Sequence, residues 1–360
     1  VVSNLMVLER GGRPGFARTA VVTPNAPERR GDMVNLHPLI VTDLDGDGND
    51  DVILGGVNQF FRNPGDARFQ VMELVGEKLF QGCRSAGVLA DFNGDGWPDF
   101  LAVGDQGVYS NKLVFYPGNG SIPFSRPPVI AANEPWIMAP SVITAGDMDG
   151  DDDLDVFLAQ YKPPGVGGQM ATPYWDARDG YPAYLLVNDG SGHFAPAPGN
   201  SPLWAKRLRR TFAASFADLD SDGDLDLITI NDFAGVDLYD NDGHGQFSDV
   251  TARLHNPRLF GMAHSFGDFD RDGAIDFLVA GMNLPAVERL DALGLGRADQ
   301  PERNRWRGEM AYGNRVYLRR DGRWVNPPFA DALARTGWTW GNTAGDFDNN
   351  GDLDFYFANG

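Results

Sequence analysis

Three things are scarce in this chain of 360 residues. Cysteine is one: with Cys83 alone, no intramolecular disulfide can form, and a fold in an oxidising compartment would need another staple. Cys83 itself reads as a buried small hydrophobe. Long apolar stretches are the second, because no run approaches the ~18–20 consecutive apolar residues of a membrane-spanning helix. Positive charge is the third. Thirty Lys and Arg against fifty Asp and Glu leave a formal charge of −20, which excludes the basic footprint that nucleic acid or an anionic membrane surface requires. The histidines (His37, His193, His244, His255 and His264) are scattered, with no H-E-x-x-H or paired spacing for zinc. No catalytic constellation stands out, and the chain reads as a binding protein, not an enzyme. It opens VVSNLMVLER, without an initiator Met or signal-peptide pattern, which is expected of a processed mature end or of part of a longer protein.

Turn formers, by contrast, are plentiful: 45 Gly and 24 Pro beside 42% apolar residues describe a turn-rich folded chain with a large core. Self-similarity explains them. One nine-residue pattern occurs six times, as DLDGDGNDD, DFNGDGWPD, DMDGDDDLD, DLDSDGDLD, DFDRDGAID and DFDNNGDLD, with starts 48, 56, 71, 50 and 78 residues apart. That spacing matches propeller blades of ~40–50 residues plus two insertions. Each copy lies between short alternating apolar runs, such as VLADF and FLAVG, and so closes a hairpin. A second hairpin follows most copies, from Phe60, Leu113, Tyr184, Val236 and Arg315. Two hairpins make the four strands of a blade. The expected fold is an all-β propeller in one domain over 1–360, with six visible repeat units. Residues 5–22 look like a second hairpin without a first, and the chain ends after a first hairpin without a second. Joining 1–22 with 336–360 would close a six-bladed ring; a truncated chain would leave room for a seventh blade.

The nine residues suit Ca²⁺, a hard cation that takes six to eight oxygens at ~2.3–2.6 Å. Position 1 is Asp43, Asp91, Asp147, Asp218, Asp268 and Asp346; position 3 is Asp45, Asn93, Asp149, Asp220, Asp270 and Asp348. Position 5 is Asp47, Asp95, Asp151, Asp222, Asp272 and Asn350; position 9 is Asp51, Asp99, Asp155, Asp226, Asp276 and Asp354. Position 7 varies among Asn49, Trp97, Asp153, Asp224, Ala274 and Asp352. A site tolerant of Trp and Ala there must use the backbone carbonyl. Position 6 is Gly in all but the third copy, where Asp152 should strain the turn. Positions 2 and 10 are always apolar and anchor the loop. Asx-rich turns alone need no such convergence, since hairpins close with two to five residues. Six bound Ca²⁺ would move the charge from −20 to −8, relieving repulsion that opposes folding. The second and sixth sites, each with one Asn, should be the weaker.

With F-A-D (Phe216-Ala217-Asp218) and F-G-D (Phe266-Gly267-Asp268) leading in, the loops resemble the FG-GAP/VCBS repeats of integrin-α-type propellers. The segments YDNDGHGQFSDVT (Tyr239 to Thr251) and TGWTWGNTAGDFDNNGDLDFYFANG (Thr336 to Gly360) are similar to bacterial relatives of cartilage acidic protein. The resemblance implies a secreted, seven-bladed Ca²⁺-binding propeller, often followed by a small β domain, that works in adhesion or in protein or glycan binding. Related propellers also occur in polysaccharide lyases, which makes a carbohydrate-active propeller, lectin or lyase on acidic sugars, the alternative.

If the nine-residue loop joins strands one and two, the insertions 161–183 and 281–313 fall between strands two and three and project from the opposite face. The dense basic stretch Leu203 to Arg210 and the segment Arg335 to Trp340 reach the same face. It gathers Tyr174, Trp175, Trp306, Trp338 and Trp340 with Arg207 and Arg210, residue types that dominate binding hot spots. A protein or glycan partner is expected there.

Overall fold

A computed structural model of the chain describes residues 5–10, 16–22, 37–66, 68–197, 202–295, 299 and 301–360. Its strands form five four-stranded antiparallel sheets and two hairpin sheets. The first sheet runs Leu39–Thr42, Asp51–Leu54, Gln59–Arg62 and Gln70–Glu73; the second runs Gly87–Ala90, Asp99–Val103, Leu113–Tyr116 and Val129–Ala132. The third has Pro140–Gly146, Asp155–Gln160, Tyr184–Asn188 and Phe194–Pro196. The fourth has Arg210–Ala217, Asp226–Asp232, Gly235–Asp240 and Ser248–Asp249; the fifth has Gly261–Gly267, Asp276–Gly281, Arg315–Arg320 and Arg323–Val325. Thr339–Gly345 pairs with Asp354–Asn359, and Leu5–Arg10 with Phe16–Val22, each as a sheet of its own.

One register recurs. The residue after each loop's last Asp faces the same rung of the third strand: Val52 opposite Phe61, Phe100 opposite Tyr116, Val156 opposite Leu186, Leu227 opposite Tyr239 and Phe277 opposite Tyr317. The first strands of the last three sheets also share a bulge, at Phe212, Met262 and Trp340. In the five four-stranded sheets and the final hairpin the nine-residue loop joins strands one and two, and the two insertions join strands two and three, as the repeat spacing requires.

In the five four-stranded sheets the second strands are buried along their whole length. A strand covered on both faces gains nothing from alternation, which is why these segments read as continuous apolar runs. The chain forms two compact units, residues 1–143 with 187–196, and residues 144–186 with 197–360. In the first, Ile53, Phe60 and Leu74 of one sheet pack on Phe100, Val114 and Tyr116 of the next. In the second, Ile228, Ile230 and Leu238 pack on Phe277, Tyr317 and Trp324. The opposite face of that last sheet, through Leu278 and Val316, meets Phe355 and Phe357 of the final hairpin. Removing a ring such as Phe277 from this stack should cost about 3–5 kcal/mol.

One hairpin departs from expectation. The run LVFYPGNGSIPF from Leu113 does not turn straight back; its partner strand is Val129–Ala132. Pro123 has no N–H to give a ladder, and Phe124 instead bridges Val75 and joins the core between the first two sheets. Among the described residues four short α-helices interrupt the strands: α1 (Leu203–Lys206), α2 (Pro285–Ala292), α3 (Pro301–Met310) and α4 (Ala330–Ala334). Among the described residues no helix is long and apolar enough to cross a membrane.

Candidate functional site

Each loop is shaped by its own carboxylates. The Oδ2 of position 1 accepts the N–H of position 6 in all six copies, at 2.8 Å for Asp43, Asp91 and Asp346, 2.9 Å for Asp268, 3.1 Å for Asp147 and 3.3 Å for Asp218. The position-5 side chain accepts the N–H of position 7 in every copy, from Asn49, Trp97, Asp153, Asp224, Ala274 and Asp352. Only the backbone of position 7 is used in that bond, consistent with its variety of side chains. Position 9 locks loop to sheet. Its Oδ2 accepts the N–H of position 2 in all six loops, at 2.9–3.3 Å. In four of them its Oδ1 accepts an N–H from the end of the third strand, from Asn63, Gly118, Asn241 or Arg319.

The left-handed turn expected at position 6 is present, with φ +71° at Asp152, but position 4 is left-handed as well. Glycine fills it in the first three loops, whereas Ser221, Arg271 and Asn349 adopt φ of +65°, +62° and +56° in the others. Strain is therefore not peculiar to the third loop.

These bonds bring carboxylates together. One oxygen each from Asp43, Asp45 and Asp51, from Asp147, Asp149 and Asp155, and from Asp268, Asp270 and Asp276 lie within 4.8 Å of one another. In the fourth loop Asp218, Asp220 and Asp222 converge, and so do Asp220, Asp226 and Asp240. Burial pushes the Asp226 carboxyl up to about 7, assisted by the like charges of Asp220 and Asp240 and opposed by the N–H groups of Asn241 and Leu219. Burial likewise pushes Asp99 up to about 6 and raises Asp51, Asp149, Asp220 and Asp276. Decisively for the fit, Oδ1 of Asp149, Asp220 and Asp270, position 3 in three loops, is buried without a hydrogen-bond partner. A buried carboxylate oxygen with no donor is costly, and a hard divalent cation is the partner that an all-oxygen cluster suits.

The aromatic residues of the insertions also come together. Trp175 and Trp306 pack at a tilt of 32° with centroids 5.6 Å apart, and Tyr174 meets Phe233 and Phe260 edge-on at 5.1 and 5.5 Å. Arg303 lies over the Trp175 ring at 5.2 Å and Arg258 over Trp306 at 4.9 Å. Beside them is a cavity of about 340 Å³ walled by Tyr174, Trp175, Phe260, Val287, Arg303 and Arg307 among others. Trp338 and Trp340 are half-exposed, at 52% and 49%. Trp340 is the bulged residue of its strand and touches Phe212 edge-on.

The basic stretch takes a different role from the one expected. Arg210 is 0% exposed; its guanidinium pairs with Asp179 at 3.0 Å and reaches the carbonyl of Lys162, so it cannot meet a partner. Lys206 bridges Asp237 and Asp249 at 2.8 and 2.6 Å, and Arg209 bridges Asp176 and Asp237 at 2.6 and 3.2 Å. These cations neutralise acids inside the unit, among them the buried Asp237. Arg207 lies over the Trp204 ring at 4.4 Å.

A family model described as FG-GAP-like repeat matches residues 91–158 and 218–279. The chain carries FG-GAP-like repeats. No curated protein matches it. Among solved structures, a lectin of Agrocybe aegerita, described for its recognition of non-reducing terminal N-acetylglucosamine, is similar in fold at 17% identity and a TM-score of 0.57, over 99% of this chain and 80% of the lectin. The biofilm matrix protein Bap1 of V. cholerae matches at 15% identity and TM-score 0.35, over 80% of this chain and 39% of that one. The Tc holotoxin pore of Photorhabdus luminescens matches at 16% and 0.39, over 76% and 12%. None of these bears on the likeness to cartilage acidic protein.

The sheets carry residues beside the loops that the nine-residue pattern does not reveal. Asp240, at the end of a third strand, adds a carboxylate to the fourth loop. In the first sheet the same rung holds Arg62, whose guanidinium pairs with Asp45 and, at 2.9 Å, with Asp47. Arg320 does likewise to Asp270 and Asp272, and Arg126 pairs with Asp95 at 2.8 Å. Three loops, the second to the fourth, are also held by the sheet that follows: Asn188 Nδ2 donates to the Phe92 carbonyl and Asn241 Nδ2 to that of Met148, both at 2.8 Å, and Arg319 grips the Asp220 carbonyl. The signal was available in the register, because the ladder fixes which third-strand residue sits beside position 9.

Proposed function

We propose that this chain is a calcium-loaded β-propeller that acts outside the cytoplasm as a non-catalytic scaffold binding glycan or protein. The observation that carries the metal half is the set of buried, partnerless position-3 oxygens of Asp149, Asp220 and Asp270, each beside further carboxylates. Calcium suits six-to-eight oxygen ligands from a flexible loop, and extracellular modules bind it at 10⁻⁴–10⁻³ M. With Cys83 buried and unpaired, ion-bound loops would take the place that disulfides hold in other secreted folds. The stacked four-stranded sheets, one for each pair of hairpins, fit propeller blades. Support for a binding role comes from the fold shared with a lectin and from the aromatic and arginine cluster in the insertions, which a rigid scaffold would present.

The test is to probe glycan and extracellular-protein arrays with the labelled chain in calcium and in chelator. Calcium-dependent retention of a ligand without turnover is expected. Release of unsaturated products from uronic-acid polymers, read by absorbance, would make the chain a lyase and overturn the non-catalytic half.

A further inference from the structure

The cavity in the second unit has a chemistry of its own. All of its lining but Phe260 comes from the two insertions, including Leu284 and Val287 at the start of α2, Met310 and Ala311 at the end of α3, and Tyr174 and Trp175 from the segment before Tyr184. Seven of its ten lining residues are apolar or aromatic, and the three polar ones, Arg303, Asn304 and Arg307, lie one turn apart on α3. Among the described residues no acid lines it, in a chain whose formal charge is −20. Arg307 ties α3 to α2 through Nη2 and Asp291, yet its Nε is buried with no partner. The guanidinium of Arg303 lies over the Trp175 face. At roughly 30 Å³ for each water, a volume of about 340 Å³ holds a ligand of about ten heavy atoms. Tyr174, 43% exposed, brings the wall to the surface.

We infer that this cavity binds a compact apolar group carrying a carboxylate. The apolar body would cover Phe260, Val287 and Met310, and the carboxylate would accept from Arg307 Nε, a donor that otherwise stays buried and unmet. A neutral hexose fits poorly, because each hydroxyl buried against these walls without a partner gives up its hydrogen bonds to water. The same chemistry is offered by a free aryl or alkyl acid and by the C-terminal apolar residue of a peptide. This inference rests on the scaffold reading only in placing recognition in the insertions.

The experiment uses the full chain in millimolar calcium, with tryptophan fluorescence and calorimetry as readouts. The probes are 3-phenylpropanoate, its uncharged amide, and the acid N-acetyl-Leu-Phe. The acid should bind, with the amide at least about tenfold weaker, as expected for a hydrogen bond to a charged group. Arg307→Gln should remove the acid's advantage while leaving the amide unchanged, and Val287→Trp should abolish binding of both. A melting temperature close to the parent's shows that each variant is folded. Tighter binding of N-acetyl-Leu-Phe than of 3-phenylpropanoate identifies a peptide terminus, and the reverse order a free acid. Equal binding of acid and amide, no binding of either acid, or binding undiminished in a folded Val287→Trp chain overturns the inference. None of these results touches the chelator response of the melt, so the scaffold reading stands or falls separately.

Discussion

Replacing Asp220 with Asn should stabilise the chain when divalent cations are chelated and destabilise it when calcium is present. The first half follows from the geometry of the fourth loop. Asp220 shares two clusters, with Asp218 and Asp222 and with Asp226 and Asp240, and its Oδ1 is buried without a donor. Burial, then the charges of Asp240 and Asp222, raise its carboxyl above the ordinary range, so the ionised form is disfavoured in the fold. Arg253 relieves little of this, because its Nη1 stands 3.6 Å from Asp220 while its Nη2 is held by Asp240 at 3.0 Å, and the pair is part-exposed. An unsatisfied buried polar group costs about 1–3 kcal/mol, and an amide removes the charge while keeping an oxygen. The gain in chelator should therefore be about 1–2 kcal/mol. In calcium the same change weakens a ligand, and a loss of roughly tenfold to a hundredfold in affinity corresponds to about 1.4–2.8 kcal/mol at saturation. Urea melts of parent and variant, each in chelator and in millimolar calcium, give all four values. A change of the same sign in both buffers, or none in either, refutes the reasoning.

Three further outcomes follow from other parts of the molecule. Asp152→Gly should raise stability by about 1 kcal/mol, because the side chain sits at φ +71°, a region that L residues enter at that cost; thermal melts read it. Asn241→Ala should cost about 2–3 kcal/mol, since buried Asn241 donates to the carbonyls of Met148 and Leu225 and accepts from Asp242 N–H; urea unfolding measures it. His264 concerns acid stability. Burial pushes its imidazole down to about 4, with Nδ1 unpartnered and Nε2 beside Ser215 Oγ at 2.9 Å. The unfolded chain takes the proton first, so the neutral ring's contribution is whole above about pH 6.5, declines as the pH falls, and is gone below about 4. Between pH 7 and 5 the loss should be about 2 kcal/mol, and His264→Gln should lower that slope in melts taken across the range.

The six loops and the strands around them were legible because their chemistry is periodic: an oxygen at positions 1, 3, 5 and 9 with an apolar anchor at 2 and 10 can satisfy few other structures. The insertions were legible as spacing, and Tyr174, Trp175 and Trp306 do meet. What escaped was set by pairing across distance. Asp240, Arg62 and Arg320 reach the loops only because the third strand's register puts them there. The stretch Leu203 to Arg210 looked like a basic surface because its acids, Asp176, Asp179, Asp237 and Asp249, lie elsewhere in the chain. Position 4 carries the same left-handed turn in Gly46 as in Arg271, so residue type alone did not mark it. Pro123 moved the fourth strand of the second sheet past Phe124 by withholding one N–H.

The central claim is that buried carboxylates in these loops hold calcium. It is tested most directly by titrating calcium into the metal-stripped chain by calorimetry, beside a variant carrying Asp149→Asn, Asp220→Asn and Asp270→Asn. The parent should bind several equivalents, up to six, and the variant fewer, and the parent's melting temperature should fall in chelator and recover with calcium. No heat of binding, together with a melt indifferent to chelator, would contradict it.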